Sequence, residues 1–174
     1  IYGPSIPKML GIKEKPVMSS NKKIIPYEKF GIKSMSIGNM IPEDNAVIWR
    51  GVMASNAIKQ FLRDVDWGNL DYLIIDLPPG TGDIHLSLCQ SLSIRGAVVV
   101  SSPQEISLID VRKAIGMFEK VNVPVLGLIQ NFSYLKVNNE QKNYIFGKDG
   151  VIREAKRKKI KFLGEIPILP EISS

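Results

Sequence analysis

The fold is decided by the stretch Tyr72-Leu73-Ile74-Ile75-Asp76-Leu77-Pro78-Pro79-Gly80-Thr81-Gly82-Asp83. Its first four residues, 72–75, are apolar without polar alternation, which is typical of a strand buried on both faces at the centre of a parallel sheet. A carboxylate, two prolines and two glycines follow almost at once. The stretch therefore predicts a central strand that ends in a polar loop.

The loop after this strand has the composition of a binding site. In an open α/β sheet a ligand binds just beyond the carboxyl ends of the strands, where Asp76 would meet a hydrated metal ion. Gly80 and Gly82 would let backbone N–H groups approach an anion closely, and Thr81 or Asp83 could cap the following helix. The alternative is an ordinary strand–loop–helix turn, because proline and glycine punctuate every α/β fold.

Apolar patterning along the rest of the chain alternates between strand and helix. The alternation predicts an α/β fold of three layers, with a mostly parallel sheet and helices on both faces. Residues 11–30 and 133–150 show little periodicity and are predicted to be irregular. The predicted strands are 32–37, 72–75, 97–100, 123–129 and 162–166. Two predicted helices begin near residues 49 and 84, and two others span residues 105–121 and 151–159.

Composition limits the class of protein. The 174 residues are enough for one domain, and we expect a single nucleotide-binding domain over 1–174. Cys89 is the single cysteine, so an internal disulfide is excluded and a reducing, cytoplasmic compartment is favoured. No apolar run approaches the length of a membrane span, so no membrane partner is expected.

The net charge of +6 raises the question of a nucleic-acid partner. Lysines lie throughout the N-terminal loops, and a second basic group occupies residues 153–161. No aromatic residue interleaves the second group as a base-stacking platform would require. The charge pattern therefore argues against nucleic acid and for solvated basic faces.

Several predicted strand ends meet at one edge of the sheet. Besides Asp76, the residues at these strand ends are Ser101–Glu105, Gln130-Asn131 and Glu165-Ile166-Pro167. A carboxylate for a metal ion, glycines for phosphate and an amide for a base form a coherent nucleotide site. Asn131 could offer both a donor and an acceptor to an adenine edge, although a loop asparagine bonded to its own backbone is the alternative.

Other reactive side chains give no catalytic set. His85, the single histidine, is expected to be exposed one turn into a helix, and Cys89 is expected to pack in the core. A phosphate loop of the form G-x-x-x-x-G-K-[ST] does not occur in the sequence. Because the chain opens at Ile1 within loop-like sequence, we expect that the N-terminal unit carrying this loop is missing.

Several sequence blocks together resemble the iron–sulfur cluster carrier proteins of the Mrp/ApbC type, which are deviant-Walker P-loop ATPases of the MinD-like group. The resemblance covers essentially the whole chain in order. The blocks are Ile1–Pro7, Ile48–Gly51, Trp67–Tyr72, Asp76–Asp83, Val123–Gly127, Gln130–Ser133, Ile145–Gly147 and Leu163–Pro167.

The resemblance implies ATP and Mg²⁺ binding, slow hydrolysis, a homodimer, and transfer of iron–sulfur clusters to client apoproteins, in the mitochondrial matrix if the source is eukaryotic. It implies that Asp76 holds Mg²⁺ through water. Asn131 would contact adenine, and Pro167 would lie against the base. The loop that senses the γ-phosphate would comprise Pro79, Gly80, Thr81 and Gly82.

Two departures from the family pattern define the alternatives. The P-loop with its two lysines is not in this sequence, so no catalytic residue is assigned and the chain by itself is expected to be inactive. The usual Cys-x-x-Cys is also not found in residues 134–143, so no iron–sulfur ligands are found. A cluster carrier is the main hypothesis, and an ATP-gated dimeric adaptor or regulator that carries no cluster is the alternative.

Overall fold

The computed structural model describes residues 5–39, 51–77, 82–137 and 141–172. The chain forms two compact units, Ile1–Ser91 and Leu92–Ser174. The α/β class with a parallel sheet is confirmed. The assignment of residues 1–174 to one nucleotide-binding domain stays a prediction.

The first unit contains two short antiparallel hairpins after helix α1 (Ser5–Leu10). Strand β1 (Val17–Met18) pairs with β2 (Ile24–Ile25), and β3 (Tyr27–Lys29) pairs with β4 (Ile32–Ser34). The prediction of an irregular connection over 11–30 was wrong, because strands of two or three residues are too short to show a period. The predicted strand 32–37 is shorter in the structure and ends at Ser34, because its partner β3 has only three residues.

The core of the first unit is built around helix α2 (Gly51–Asp64). Ile58, Phe61 and Val65 recur at the spacing of one helix face, and all three are buried. Phe61 and Val65 pack with Ile24 and Ile37, and Trp67 Nε1 donates to the Phe61 carbonyl at 2.9 Å. Trp49, where the helix was predicted to begin, lies outside the described residues.

The predicted central strand at residues 72–75 was wrong. The structure gives residues 72–77 no strand, and the side chains of Tyr72 and Ile74 are 86% and 91% exposed. An apolar run stays in a sheet only where neighbouring strands satisfy its backbone and cover its faces. No strand of the described residues pairs with this segment. Helix α3 (Asp83–Ser91) then follows, as predicted within one residue.

The second unit is a three-stranded parallel sheet in the order β5-β6-β9. Its strands are β5 (Ala97–Ser101), β6 (Val125–Gln130) and β9 (Phe162–Glu165). Helices α4 (Glu105–Lys120) and α5 (Gly150–Lys158) pack on one face, so that Leu108, Val111, Ile115, Leu128, Val151 and Ala155 form the core. These elements agree with the predicted ranges within a few residues.

Burial of the sheet differs from the prediction. Residues 97–100 were predicted as a strand of a sheet covered by helices on both faces, but Val98 and Val100 are 47% and 53% exposed while Val99 packs against the core. Both helices of this unit lie on the Val99 side, so the burial of β5 alternates. On α4, Leu108, Val111, Ile115 and Phe118 are buried, whereas Ile109 is 40% exposed.

A third hairpin lies between β6 and α5, where an irregular polar segment was predicted. Strand β7 (Leu135–Val137) pairs antiparallel with β8 (Gln141–Asn143). Backbone hydrogen bonds attach the chain before this hairpin to the segment after β9, from Ser133 N to Ile166 O at 2.9 Å and from Ile168 N to Tyr134 O at 2.7 Å. No helix among the described residues is long and apolar enough to cross a membrane.

Gly150, the first residue of α5, packs directly against the loop after β5. A Cβ atom at this position would overlap the Pro103 carbonyl oxygen and lie 2.8 Å from its carbon. Since these are backbone atoms, the overlap could be relieved only by moving the helix or the loop. We therefore expect Gly150→Ala to lower the free energy of unfolding by about 1–3 kcal/mol, the usual cost of overpacking.

The matched control is Gly116→Ala in α4. A Cβ atom at Gly116 would meet no atom within 4 Å, so alanine there should stabilise the helix slightly. Urea unfolding followed by circular dichroism measures both variants. Equal stability of Gly150→Ala and the wild type would show that the loop and helix are not held together as described.

Candidate functional site

A buried polar network closes the carboxyl edge of the second unit's sheet. Gln130, at the end of β6, is 0% exposed. Its Oε1 atom accepts from the Val151 N–H at the start of α5 at 3.1 Å, and its Nε2 atom donates to Ser133 Oγ at 2.7 Å. Ser133 Oγ donates in turn to Glu165 Oε2 at 2.6 Å. We call these groups the Gln130 network, and they join β6, β9 and α5.

The network extends to the hairpin through Lys142. Lys142 Nζ donates to Glu165 Oε1 at 2.9 Å and lies 4.0 Å from the centre of the Tyr134 ring. Tyr134 meets Tyr144 edge to face, with ring centres 6.1 Å apart. A cation held between a carboxylate and an aromatic face is stabilised by both. The hairpin is therefore attached to the end of β9 by an ion pair as well as by backbone bonds.

The carboxylate of Glu165 is the charged centre of this edge. The hydrogen bond from the Ser133 hydroxyl, and after it the Lys142 ammonium, hold the pKa of Glu165 below its ordinary value, although partial burial acts in the opposite direction. The same ion pair raises the pKa of Lys142. Both groups are therefore ionised at neutral pH.

Asn131 follows β6 and is held by two local hydrogen bonds. Its backbone N–H donates to the Ser101 carbonyl at 2.8 Å, and its Oδ1 atom accepts from the Phe132 N–H at 2.9 Å. Phe132 has a φ of 51°, so the turn is tight and the side-chain bond supports it. Bonding to its own backbone, the alternative considered for this residue, is thus observed. The amide nitrogen of Asn131 is the atom that could donate to a base.

Pro167 lies at the same edge of the sheet as Asn131. Gln130 and Glu165 are register partners on adjacent strands, and the two predicted residues follow them by one and two positions. Pro167 is half-buried, and the backbone bonds of Ile166 and Ile168 hold it on either side. The structure therefore places at the same sheet edge the two residues that were predicted to contact the base.

The predicted metal and phosphate residues belong to the first unit. Asp76 is exposed in the irregular segment 72–77 rather than at a strand end. Gly82 is exposed and its carbonyl accepts from the His85 N–H at 3.1 Å, at the start of α3. Pro79, Gly80 and Thr81 lie outside the described residues.

Two further predictions concern α3. His85 was predicted to be exposed, but it is 5% exposed. The prediction was wrong because His85 lies on the buried side of the helix together with Leu88. Burial is predicted from apolar residues, so the burial of a polar histidine could not be predicted from the sequence pattern. Cys89 is half-buried, and burial raises the pKa of its thiol. A thiol with a raised pKa is less reactive at neutral pH.

Sequence reasoning missed the network residues Ser133, Lys142 and Glu165 as a connected group. A signal existed, since Gln130 and Glu165 are polar residues that end apolar runs, and Ser133 follows three residues after Gln130. The pairing of β6 with β9, which brings these groups together, could not be read from single runs.

The comparison with family models decides the family. Residues 1–174 match the model described as ParA: NUBPL iron-transfer P-loop NTPase. The chain belongs to this family. Membership confirms the resemblance to iron–sulfur carrier proteins of the P-loop class.

Curated relatives of this family member match nearly its whole length. The iron-sulfur cluster carrier protein of Aquifex aeolicus is 49% identical over 99% of the chain and 48% of the relative. The mouse iron-sulfur cluster transfer protein NUBPL is 47% identical over 97% of the chain and 53% of the relative. An Arabidopsis thaliana iron-sulfur protein required for NADH dehydrogenase, mitochondrial, is 44% identical. The chain spans about half the length of these relatives.

A solved structure shares the fold. The nucleotide-binding protein of Archaeoglobus fulgidus, in complex with ADP, superposes with a TM-score of 0.80 at 39% identity. The match covers 98% of this chain and 67% of that chain. The fold is therefore that of a nucleotide-binding P-loop protein.

The Gln130 network predicts a pH-dependent stability. The pKa of Glu165 is lowered in the folded protein from 4.5, so its carboxylate stabilises the fold above that pH, and this contribution is lost as the pH falls through the lowered value. Glu165→Gln should lower the free energy of unfolding by about 1 kcal/mol at pH 7. This value is at the lower end of the range for hydrogen bonds to charged groups, because the Glu165 carboxylate is partly exposed to solvent. The difference from wild type should shrink below pH 4.5.

Urea unfolding from pH 7 to acidic pH measures this difference. Glu119→Gln, at an exposed position on α4, is the control for loss of a carboxylate. A pH-independent difference for Glu165→Gln would mean that the charge of Glu165 does not hold the network.

Proposed function

We propose that this chain forms part of an ATP-dependent iron–sulfur cluster carrier, which binds ATP and Mg²⁺, hydrolyses ATP slowly and delivers clusters to client apoproteins. The observation that carries the proposal is the 49% identity with a cluster carrier protein over 99% of the chain. The carrier acts as a homodimer in the cytoplasm, or in the mitochondrial matrix of a eukaryote.

The residues fit a nucleotide in part. Asn131 and Pro167 share one sheet edge, where an amide donor and a flat apolar ring suit a base. Asp76 supplies an exposed carboxylate, the ligand type that holds Mg²⁺ through water. Pro79, Gly80, Thr81 and Gly82 are proposed to meet the γ-phosphate. The glycine- and lysine-containing phosphate loop is not in this sequence, so no lysine here is given that role.

The cluster is the cargo of this activity, and its ligands are the open part of the proposal. Thiolates are the normal ligands of iron–sulfur clusters. The sequence offers Cys89 alone, and the interval 134–143 contains no cysteine. This absence favours a second candidate, an ATP-gated dimeric adaptor or regulator of the same fold that carries no cluster.

ATP hydrolysis by the complete protein, which both candidates require, tests the assignment of the Mg²⁺ site. Asp76→Asn should lower Mg²⁺-dependent ATP hydrolysis by about 10–100-fold, the usual loss when an outer-sphere metal partner is removed. Asp71→Asn, at an exposed position five residues earlier, is the matched control and should hydrolyse ATP normally. Normal turnover by Asp76→Asn would remove the assignment of the Mg²⁺ site.

Iron and acid-labile sulfide, measured in the same preparations after anaerobic reconstitution, separate the candidates. A carrier binds stoichiometric cluster, and its content should be unchanged in Cys89→Ser because that thiol lies half-buried on α3. Protein that hydrolyses ATP but binds no cluster would support the adaptor. Loss of cluster in Cys89→Ser would contradict the structural role given to this cysteine.

A further inference from the structure

The two hairpins of the first unit expose apolar side chains to an unusual degree. Phe30 is 79% exposed at the tip of the β3–β4 hairpin, and Val17 and Ile25, paired across β1 and β2, are also exposed. Met18 and Ile32 are also exposed, but Met18 follows Val17 on β1 and therefore points to the opposite face. Single exposed apolar residues need no explanation, whereas the paired Val17 and Ile25 present two neighbouring aliphatic side chains on one face, as an interaction surface does.

The tip of the second hairpin is conformationally strained. Phe30 and Gly31 have φ values of 55° and 71°, the values of a type I′ turn. Glycine adopts such values freely, whereas a bulky residue such as phenylalanine does so at a cost. The turn therefore presents an aromatic ring to solvent where asparagine would be more stable, and such outliers cluster at functional positions.

A groove lies between these hairpins. Its volume is about 330 Å³, and its walls include Val17, Ile25 and Tyr27. Lys15 and Lys29 border it together with Glu14 and Glu28. Glu14 bonds to the backbone N–H of Lys13 at 3.1 Å, and Tyr27 OH donates to the Glu14 carbonyl at 2.7 Å. The groove is thus a concave space with apolar walls and charged residues at its border, large enough for a side chain of a bound segment.

The region around the groove has an excess of positive charge, while the groove itself is bordered by two lysines and two glutamates. Between residues 5 and 33 the sequence has seven lysines and two glutamates. Such a field attracts acidic partners and speeds their association. A second copy of the chain would bring the same lysines into contact with these, so like charges oppose self-association through this surface.

We propose that this hairpin groove, with Val17, Ile25 and Tyr27 as its walls and Phe30 beside it, docks an acidic peptide segment of a client apoprotein. An apolar side chain of the segment enters the groove, and its carboxylates lie against the surrounding lysines. This inference rests on the proposed carrier function in one respect, namely that the bound segment belongs to a client apoprotein. A concave groove favours a peptide over a flat bilayer, and aliphatic walls gain nothing from nucleic-acid phosphates.

Binding of labelled synthetic peptides to the whole chain, followed by fluorescence anisotropy without nucleotide or cluster, tests the proposal. A short peptide that alternates glutamate and leucine should bind. Its glutamine–leucine and glutamate–serine counterparts should each bind at least about tenfold more weakly, since one lacks the charge and the other the apolar side chains. Equal binding of all three peptides, or none by the first, would overturn the proposal.

Variants locate the site. Val17→Ser and Ile25→Ser should each weaken binding of the glutamate–leucine peptide by about tenfold, as expected for losing one buried aliphatic contact. Ile106→Ser, at a 71% exposed position on α4, is the matched control and should bind normally. Circular dichroism verifies that each variant is folded. Loss of binding only in the control would place the site elsewhere.

Two further probes test the rejected partners. A single-stranded DNA oligonucleotide and anionic phosphatidylglycerol vesicles should bind more weakly than the peptide and should be insensitive to Val17→Ser. Tighter binding of either probe through Val17 and Ile25 would overturn the peptide assignment in favour of that partner. These binding assays contain no nucleotide or cluster. A negative result would therefore overturn the docking proposal without affecting the proposed carrier function, which the ATPase and cluster measurements test.

Discussion

The carboxyl edge of the second unit depends on the buried amide of Gln130. A fully buried amide must have hydrogen-bond partners on both its oxygen and its nitrogen, because each unsatisfied group costs about 1–3 kcal/mol. Gln130 satisfies its oxygen with the Val151 N–H and its nitrogen with Ser133, which passes the chain of bonds to Glu165. One side chain thereby fixes the end of β6, the start of α5 and, through Glu165, the end of β9.

This constraint explains the arrangement of the predicted base-side residues. Asn131 and Pro167 follow strands β6 and β9, which the network holds in register. The two residues therefore lie at the same sheet edge even if they do not contact each other. The hairpin β7–β8 is attached at the same place, through Lys142 and Glu165. It lies in the interval 134–143, where the resemblance led us to expect a Cys-x-x-Cys that the sequence does not have.

The sequence was sufficient to predict helices and strands whose burial follows a regular apolar pattern. It was insufficient where burial depends on which other strands pair with the segment. The helices 105–121 and 151–159 and the strand 123–129 were predicted within a few residues, because a long run with one buried face shows its period. Residues 72–75 have the same apolar signal, but the described residues supply no neighbouring strand. The three hairpins were missed because their strands have only two or three residues. Asn131 and Pro167 were found as candidates, but the bonds that hold the edge join residues far apart in sequence.

Hydrogen exchange of the hairpin amides in Gln130→Met tests the role of this network most directly. The substitution keeps the approximate length of the side chain, but a thioether cannot donate to Ser133 and is only a weak acceptor for the Val151 N–H. The amides of β7 and β8 should exchange about five- to hundredfold faster than in wild type, which corresponds to a loss of roughly 1–3 kcal/mol, while the interior of α4 is unchanged. Unchanged protection of the hairpin would contradict the account.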